Sequence, residues 1–148
     1  MYRHILIPTD GSDLAHKAVV HGLGLAKSVG AKVTALTVEA SFNVYDVPPS
    51  QMAKMSAAFD EYTEQVKKHA ARVLSKVADE AKTAGVPCET LQVTQDRPYE
   101  SIVATAKDKG CDLIVIASHG RTGIAAMVLG SVTTKVLAHT TIPVLVCR

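Results

Sequence analysis

Short apolar runs alternate along the chain with longer stretches whose apolar residues recur at helical spacing. HILIP, residues 4–8, is rich in β-formers and closed by Pro8, which predicts a buried strand. In the following TDGSDLAHKAVVHGLGLAKSVGA, Leu14, Ala18, Val19, Leu23 and Ala26 share one helical face, with Ser12 or Asp13 as N-cap and Gly30 as the stop. KVTALTV, residues 32–38, predicts a second strand, whereas residues 39–51, with Pro48 and Pro49, show no period and read as a surface loop. From about residue 52 to residue 84, Phe59, Tyr62, Val66, Ala70, Val73, Leu74 and Val77 mark one face of a long helix that Gly85 ends. CETLQVT, residues 88–94, is a third strand; Pro98 then opens a helix through Ala106, with Ile102, Val103 and Ala106 toward the sheet and Gly110 as its end. DLIVIA, residues 112–117, is the most apolar run and is expected at the centre of the sheet. A loop rich in glycine follows, then a helix from Ser131 to about Ala138 and a fifth strand, PVLVC, at residues 143–147.

This β-α-β-α-β-α-β-α-β order predicts right-handed crossovers and a doubly wound parallel α/β sheet. At 148 residues the chain is the size of one domain, residues 1–148, able to bury roughly two-thirds of its unfolded surface. A composition 47% hydrophobic but only 4% aromatic, with no Trp, implies a core of Val, Leu, Ile and Ala under covering helices. The net charge of +2 comes from 16 basic and 14 acidic residues with no block of one sign, so no nucleic-acid partner is indicated. Cys88, Cys111 and Cys147 are odd in number and lack C-x-x-C spacing, which points to neither a disulfide framework nor a zinc site. No apolar run approaches the roughly 20 residues of a membrane span, and MYRHILIPTD carries no signal-type apolar region; no membrane association and a cytoplasmic location are expected.

In an open α/β sheet the ligand crevice lies outside the carboxyl ends of the strands, where strand order reverses. After the first strand stands Pro8-Thr9-Asp10-Gly11-Ser12, and after the fourth stands Ser118-His119-Gly120. Gly120, Gly123 and Gly130 are expected to take positive φ and let backbone N–H groups approach an anion. Gly130-Ser131 starts a helix, where free N–H groups and the dipole favour phosphate and the Ser131 hydroxyl adds a capping or phosphate contact. Asp10 can accept from ribose hydroxyls or close an Asx-turn ahead of the first helix, and the two roles are compatible. The loop is neither a Walker A motif nor G-x-G-x-x-G, so residue chemistry alone leaves it open between a phosphate cradle and a plain connection. His119 reads either as a general acid or phosphate ligand or as a histidine hydrogen-bonded to a neighbouring loop; Arg121 reads as a γ-phosphate clamp or a solvated arginine. His16 and His21, five apart, do not share a helix face, and no site for a metal built from protein ligands is expected.

Taken together, ILIPTDGS, the strand ending in Thr37-Val38, DLIVIASHGRTG, LGSVTTKVL and the terminal IPVLV resemble the universal stress proteins over essentially the whole chain. The nucleotide-binding branch of that family carries G-x-x-G, nine residues, then G-[ST]; Gly120, residues 121–129 and Gly130-Ser131 match it, and Ala117 stands in place of the first glycine. The resemblance implies a Rossmann-like five-stranded sheet of order 3-2-1-4-5 with helices on both faces, and ATP, AMP or ADP in the crevice, Mg²⁺ accompanying the phosphates. Carried over by position, Pro8, Thr9 and Asp10 would line the adenosine end, with Asp10 toward the ribose and Ala117 placing a methyl beside it. The Val38 main chain would read the adenine edge and Ile116 would pack nearby, while Gly120, Gly130, Ser131, Val132 and Thr133 would hold the phosphates. It also implies a homodimer through the edge strand at residues 143–147, with Cys147 near its axis. Three functions remain open: a stress-response module that signals through nucleotide occupancy, a slow ATPase, and a dimeric scaffold whose crevice stays empty. Fast turnover is not expected, since the sequence offers no Walker B acid and no evident base to orient water.

Overall fold

In the computed structural model, which describes residues 1–41, 48–120 and 129–148 and only the backbone at 52 and 53, five parallel strands form one sheet. The strands are β1 (His4–Pro8), β2 (Lys32–Glu39), β3 (Cys88–Thr94), β4 (Leu113–Ala117) and β5 (Val144–Cys147), in the order β3-β2-β1-β4-β5. The connecting helices are α1 (Asp13–Val29), α2 (Met55–Ala84), α3 (Pro98–Asp108) and α4 (Ser131–His139), with a 3₁₀ turn at Pro49–Lys54 ahead of α2.

Helices cover both faces. Ala15, Ala18, Val19, Leu23 and Ala26 of α1 and Ala70, Leu74, Val77 and Ala81 of α2 pack with Ile5, Ile7, Val33, Ala35 and Val115 on one side. On the other, Ile102 and Ala106 of α3 and Val136 of α4 pack with Leu6, Leu36, Ile114 and Ile116. The alternation of Ile5 and Ile7 against Leu6 is the period-2 pleat of a strand buried on both faces.

Local chemistry sets the boundaries. Ser12 caps α1 by accepting from the Ala15 N–H at 3.2 Å, and Gly30 and Gly85 end α1 and α2 in the left-handed conformation at φ 72° and 73°. β4 begins at Leu113 rather than Asp112, because the Asp112 carboxylate accepts the backbone N–H groups of Arg3 and His4 at 2.9–3.1 Å. β5 begins after Pro143, which lacks an N–H and joins the sheet only by accepting from Ile114 N at 2.9 Å.

Three expectations need correction. β1, not the more apolar β4, takes the middle of the sheet, since both strands are buried throughout and apolarity does not rank interior positions. The long helix starts at Met55, and its apolar face is only half used: Ala70, Leu74 and Val77 are buried, whereas Phe59 and Tyr62 are 46% and 37% exposed. Thirty helical residues span about 45 Å, while strands of five to eight residues span at most about 27 Å, so the amino-terminal turns overhang the sheet. Finally, the positive-φ glycines among the described residues are Gly11, Gly30, Gly85 and Gly110; Gly130 sits at φ −74° and Gly120 is not among them.

Candidate functional site

At the carboxyl end of the sheet, β1 and β4 lead into loops that face each other across a cavity of about 370 Å³. Pro8, Thr9 and Asp10 from the end of β1, Val38 from β2, and Ile116 and Ala117 from β4 line it, as do Gly120, Gly130, Ser131, Val132 and Thr133. Of the residues proposed from the sequence, only Arg121 is missing from that wall; it lies, with Gly123, outside the described residues, as do residues 42–47 of the loop expected at 39–51, whose first residue instead ends β2 and whose last three open the 3₁₀ turn.

Backbone ties shape the mouth. Thr9 N–H donates to Leu36 O at 2.8 Å, Ser118 N–H to Cys147 O at 2.7 Å and Gly130 N–H to Ser118 O at 2.7 Å. Asp10 closes its Asx-turn by accepting from Ser12 N–H at 2.9 Å, which leaves its other carboxylate oxygen turned toward Gly120. A Cβ at Gly120 would come 2.6 Å from Asp10 Oδ2 and would have to push that side chain aside, so glycine there serves the close approach of the carboxylate rather than a positive φ. Gly130 likewise serves close approach: a Cβ would stand 3.1 Å from Ser118 O and 3.3 Å from His119 Cα, and this backbone would have to give by a few tenths of an ångström.

Gly130, not Ser131, is the N-cap of α4, because it is the last residue with extended φ and ψ; having no side chain, it supplies no cap. Ser131 is therefore the first helical residue, exposed at the crevice, and its expected capping role does not hold. The first N–H groups of α4 have no intrahelical partners and the positive end of its dipole meets the cavity. Thr133 is buried and donates its hydroxyl to Ala117 O at 2.7 Å, fastening α4 to β4, so toward a ligand it can offer its backbone N–H. Ala117 is 5% exposed and packs with the core on the α1 side, where its methyl is accommodated.

The residues present fit an anionic, nucleotide-sized ligand: two glycines leave room that a Cβ would fill, and an uncapped helix start opens beside them. Sequence reasoning did not assign Ala15, Leu36, Glu39, Ala40, Pro98 and Ile102 to the site, although all line the cavity. Glu39 and Ala40 follow the same rule of strand carboxyl ends that pointed to Pro8 and Asp10 and were legible by it. Leu36 and Ile102 read only as core. The Glu39 carboxylate is buried and points toward α2, with Oε1 4.0 Å from His69 Nε2. Among the described residues no group of three or more His, Cys, Asp or Glu side chains could hold a metal ion. Burial pushes the Cys111 thiol up to about 11 and raises Cys88 and Cys147 as well, so none of the three is poised as a thiolate.

A parallel sheet of order 3-2-1-4-5 with a glycine-walled crevice at its switch point defines a Rossmann-like α/β domain, and comparison with known proteins gives the family. The model of the universal stress protein family matches residues 1–148. The chain is 34% identical to universal stress protein MJ0531 of Methanocaldococcus jannaschii over all of its own length and 83% of that protein, and 34% identical to YxiE of Bacillus subtilis over the whole of both. Among solved structures it is similar to MJ0577, a universal stress protein of M. jannaschii, at TM-score 0.82 and 28% identity, covering 99% of this chain and 96% of that one. It is also similar to a universal stress protein in complex with cAMP, at TM-score 0.72 and 25% identity, covering 99% and 97%. This chain belongs to the universal stress protein family.

Proposed function

We propose that this protein is a module that binds an adenine nucleotide, ATP foremost, and acts in the stress response through the occupancy of its crevice. The observation that carries this reading is the meeting of Asp10, Gly120 and the uncapped start of α4 around one cavity. The complex of a structural neighbour with cAMP supports it. Asp10 accepts from the ribose, with Pro8, Thr9 and Ile116 against the adenosine and the Val38 main chain at the base edge. Ser131, Val132 and Thr133 receive the phosphates through the free backbone N–H groups at the start of α4, with Gly120 and Gly130 leaving room beside them. Mg²⁺ enters with ATP and keeps most of its waters.

The copies are proposed to pair through β5, an edge strand of four residues with Leu145 41% exposed. The direct test is to heat-denature freshly purified protein and to identify and count any released nucleotide by anion-exchange chromatography. Adenine nucleotide near one per chain is expected. Protein that releases none and also fails to bind added Mg-ATP overturns the reading.

A further inference from the structure

The turn that brings Asp10 to the crevice is seated against α2 from behind. Gly11, the residue after Asp10, has φ 80°, in the left-handed region that favours glycine, and the space beside its Cα is already filled: a Cβ there would lie 2.6 Å from Val73 Cγ2 and 3.7 Å from Cε1 and Nε2 of His69. Neither Val73 nor His69 is among the residues that line the crevice. Both belong to one stripe of α2. With about 3.6 residues per turn, Tyr62, His69 and Val73 point within about 40° of one another. Tyr62 donates its hydroxyl to Ala40 O at 3.2 Å, and His69 Nε2 stands 4.0 Å from Glu39 Oε1. Ala40 and Glu39 are part of the crevice wall, so a single stripe of α2 touches both that wall and the Asp10 turn.

The turn is anchored at its start by Thr9 N–H, which donates to Leu36 O at 2.8 Å, and at its end by Ser12, the cap of α1. Between these anchors Gly11 rests on α2. Its Cα is about 3.8 Å from that of Asp10 across one peptide bond, so the chain cannot shift at Gly11 without carrying Asp10 along. Asp10 Oδ2 faces Gly120 on the opposite loop of the crevice, and a hydrogen bond from a ribose hydroxyl weakens steeply with misalignment. We propose that Val73 is a positioning residue: pressed on Gly11, it aims the Asp10 carboxylate, so that recognition of the ribose is set by α2 from outside the crevice. The proposal rests on the nucleotide reading above.

Calorimetric titration with ATP and with 2′,3′-dideoxy-ATP, which lacks both ribose hydroxyls, tests this in wild type, Val73→Ala, Gly11→Ala and the double variant. Wild type is expected to bind ATP about tenfold more tightly than the dideoxy nucleotide, the difference made by a hydrogen bond to a carboxylate. Val73→Ala removes the seat and is expected to shrink that ratio severalfold through weaker ATP binding alone. Gly11→Ala drives a Cβ onto Val73 Cγ2 and shrinks the ratio as well. The unfavourable φ of an alanine at position 11 is common to both backgrounds, whereas the contact with Cγ2 is gone once residue 73 is alanine. Gly11→Ala is therefore expected to cost less ATP affinity in the Val73→Ala background than in wild type. Thermal melting of each variant checks its fold. An unchanged ratio in Val73→Ala, equal losses for the two nucleotides, or single-variant costs that simply add in the double variant overturn the positioning role of Val73. A wild type that binds both nucleotides equally also overturns it, because Asp10 then reads no ribose, and leaves nucleotide binding standing. A wild type that binds neither overturns the nucleotide reading and this inference with it.

Discussion

His4 opens the middle strand of the sheet at 6% exposure, and its two nitrogens have fixed jobs. Nδ1–H donates to Lys109 O at 3.2 Å, which makes Nε2 the acceptor for the Thr34 hydroxyl at 2.8 Å. This arrangement suits the neutral ring. Burial first, and then the charge of Lys32, hold its pKa below the ordinary 6.5. Between that lowered value and about 6.5 the unfolded chain takes up a proton that the folded chain refuses, so folding stability falls as pH drops through this window. Above it His4 is neutral in both states and contributes no slope. Urea unfolding at steps from pH 7.5 to 5 is therefore expected to lose stability more steeply for wild type than for His4→Gln, even though the variant is less stable throughout. Equal slopes would mean that His4 is protonated as readily inside the protein as outside it.

Among the elements, α4 joins fold and site, because its first turn both borders the crevice and fastens the helix to the sheet, Thr133 donating to Ala117 O. Gly130→Val tests that junction. Its φ of −74° and ψ of 161° suit valine, so the backbone conformation itself is no obstacle. The new Cβ, however, meets backbone, Ser118 O at 3.1 Å and His119 Cα at 3.3 Å, and the loop must move away from the helix start. Far-UV circular dichroism is expected to remain close to wild type while affinity for ATP drops by about tenfold or more. Wild-type affinity in Gly130→Val would remove the phosphates from the start of α4. The motif around Gly130 was legible in the sequence, but the reason for the glycine was not. Composition does not tell a residue chosen for φ from one chosen for lack of a side chain, and only the contact with Ser118 and His119 decides it. The same limit applies to α2. Helical periodicity correctly aligned Phe59 and Tyr62 with Ala70, Leu74 and Val77, yet it records which face is apolar and not where the sheet beneath it ends. Strand runs and caps were legible because their causes are local: Ser12 Oγ, Gly30 and Gly85 act on their own helices. Ile102 and Pro98 reach the cavity through the packing of α3 on the sheet, which no local pattern records.

At the scale of the whole molecule, the two edges of the sheet differ in how they could meet another chain. The β3 edge carries Glu89, paired with Lys109 Nζ at 2.5 Å, together with the polar Thr90 and Gln92, and charge on an edge strand discourages further pairing. The β5 edge, Val144 to Cys147, has no charged or polar side chain apart from the buried thiol, and Leu145 and Leu137 of the neighbouring α4 are each 41% exposed. Backbone groups on an edge strand are a template for pairing, and an apolar surface beside them adds burial to the hydrogen bonds. If two copies pair through β5, a lysine at Leu145 would bring like charges together across the contact. Sedimentation velocity at micromolar concentration is expected to give a dimer for wild type and a monomer for Leu145→Lys. Because no residue of β5 is among those lining the crevice, the monomeric variant should still bind nucleotide. A monomeric wild type, or a variant that stays dimeric, would rule out pairing through β5. Loss of nucleotide binding together with the dimer would mean that the partner copy completes the crevice.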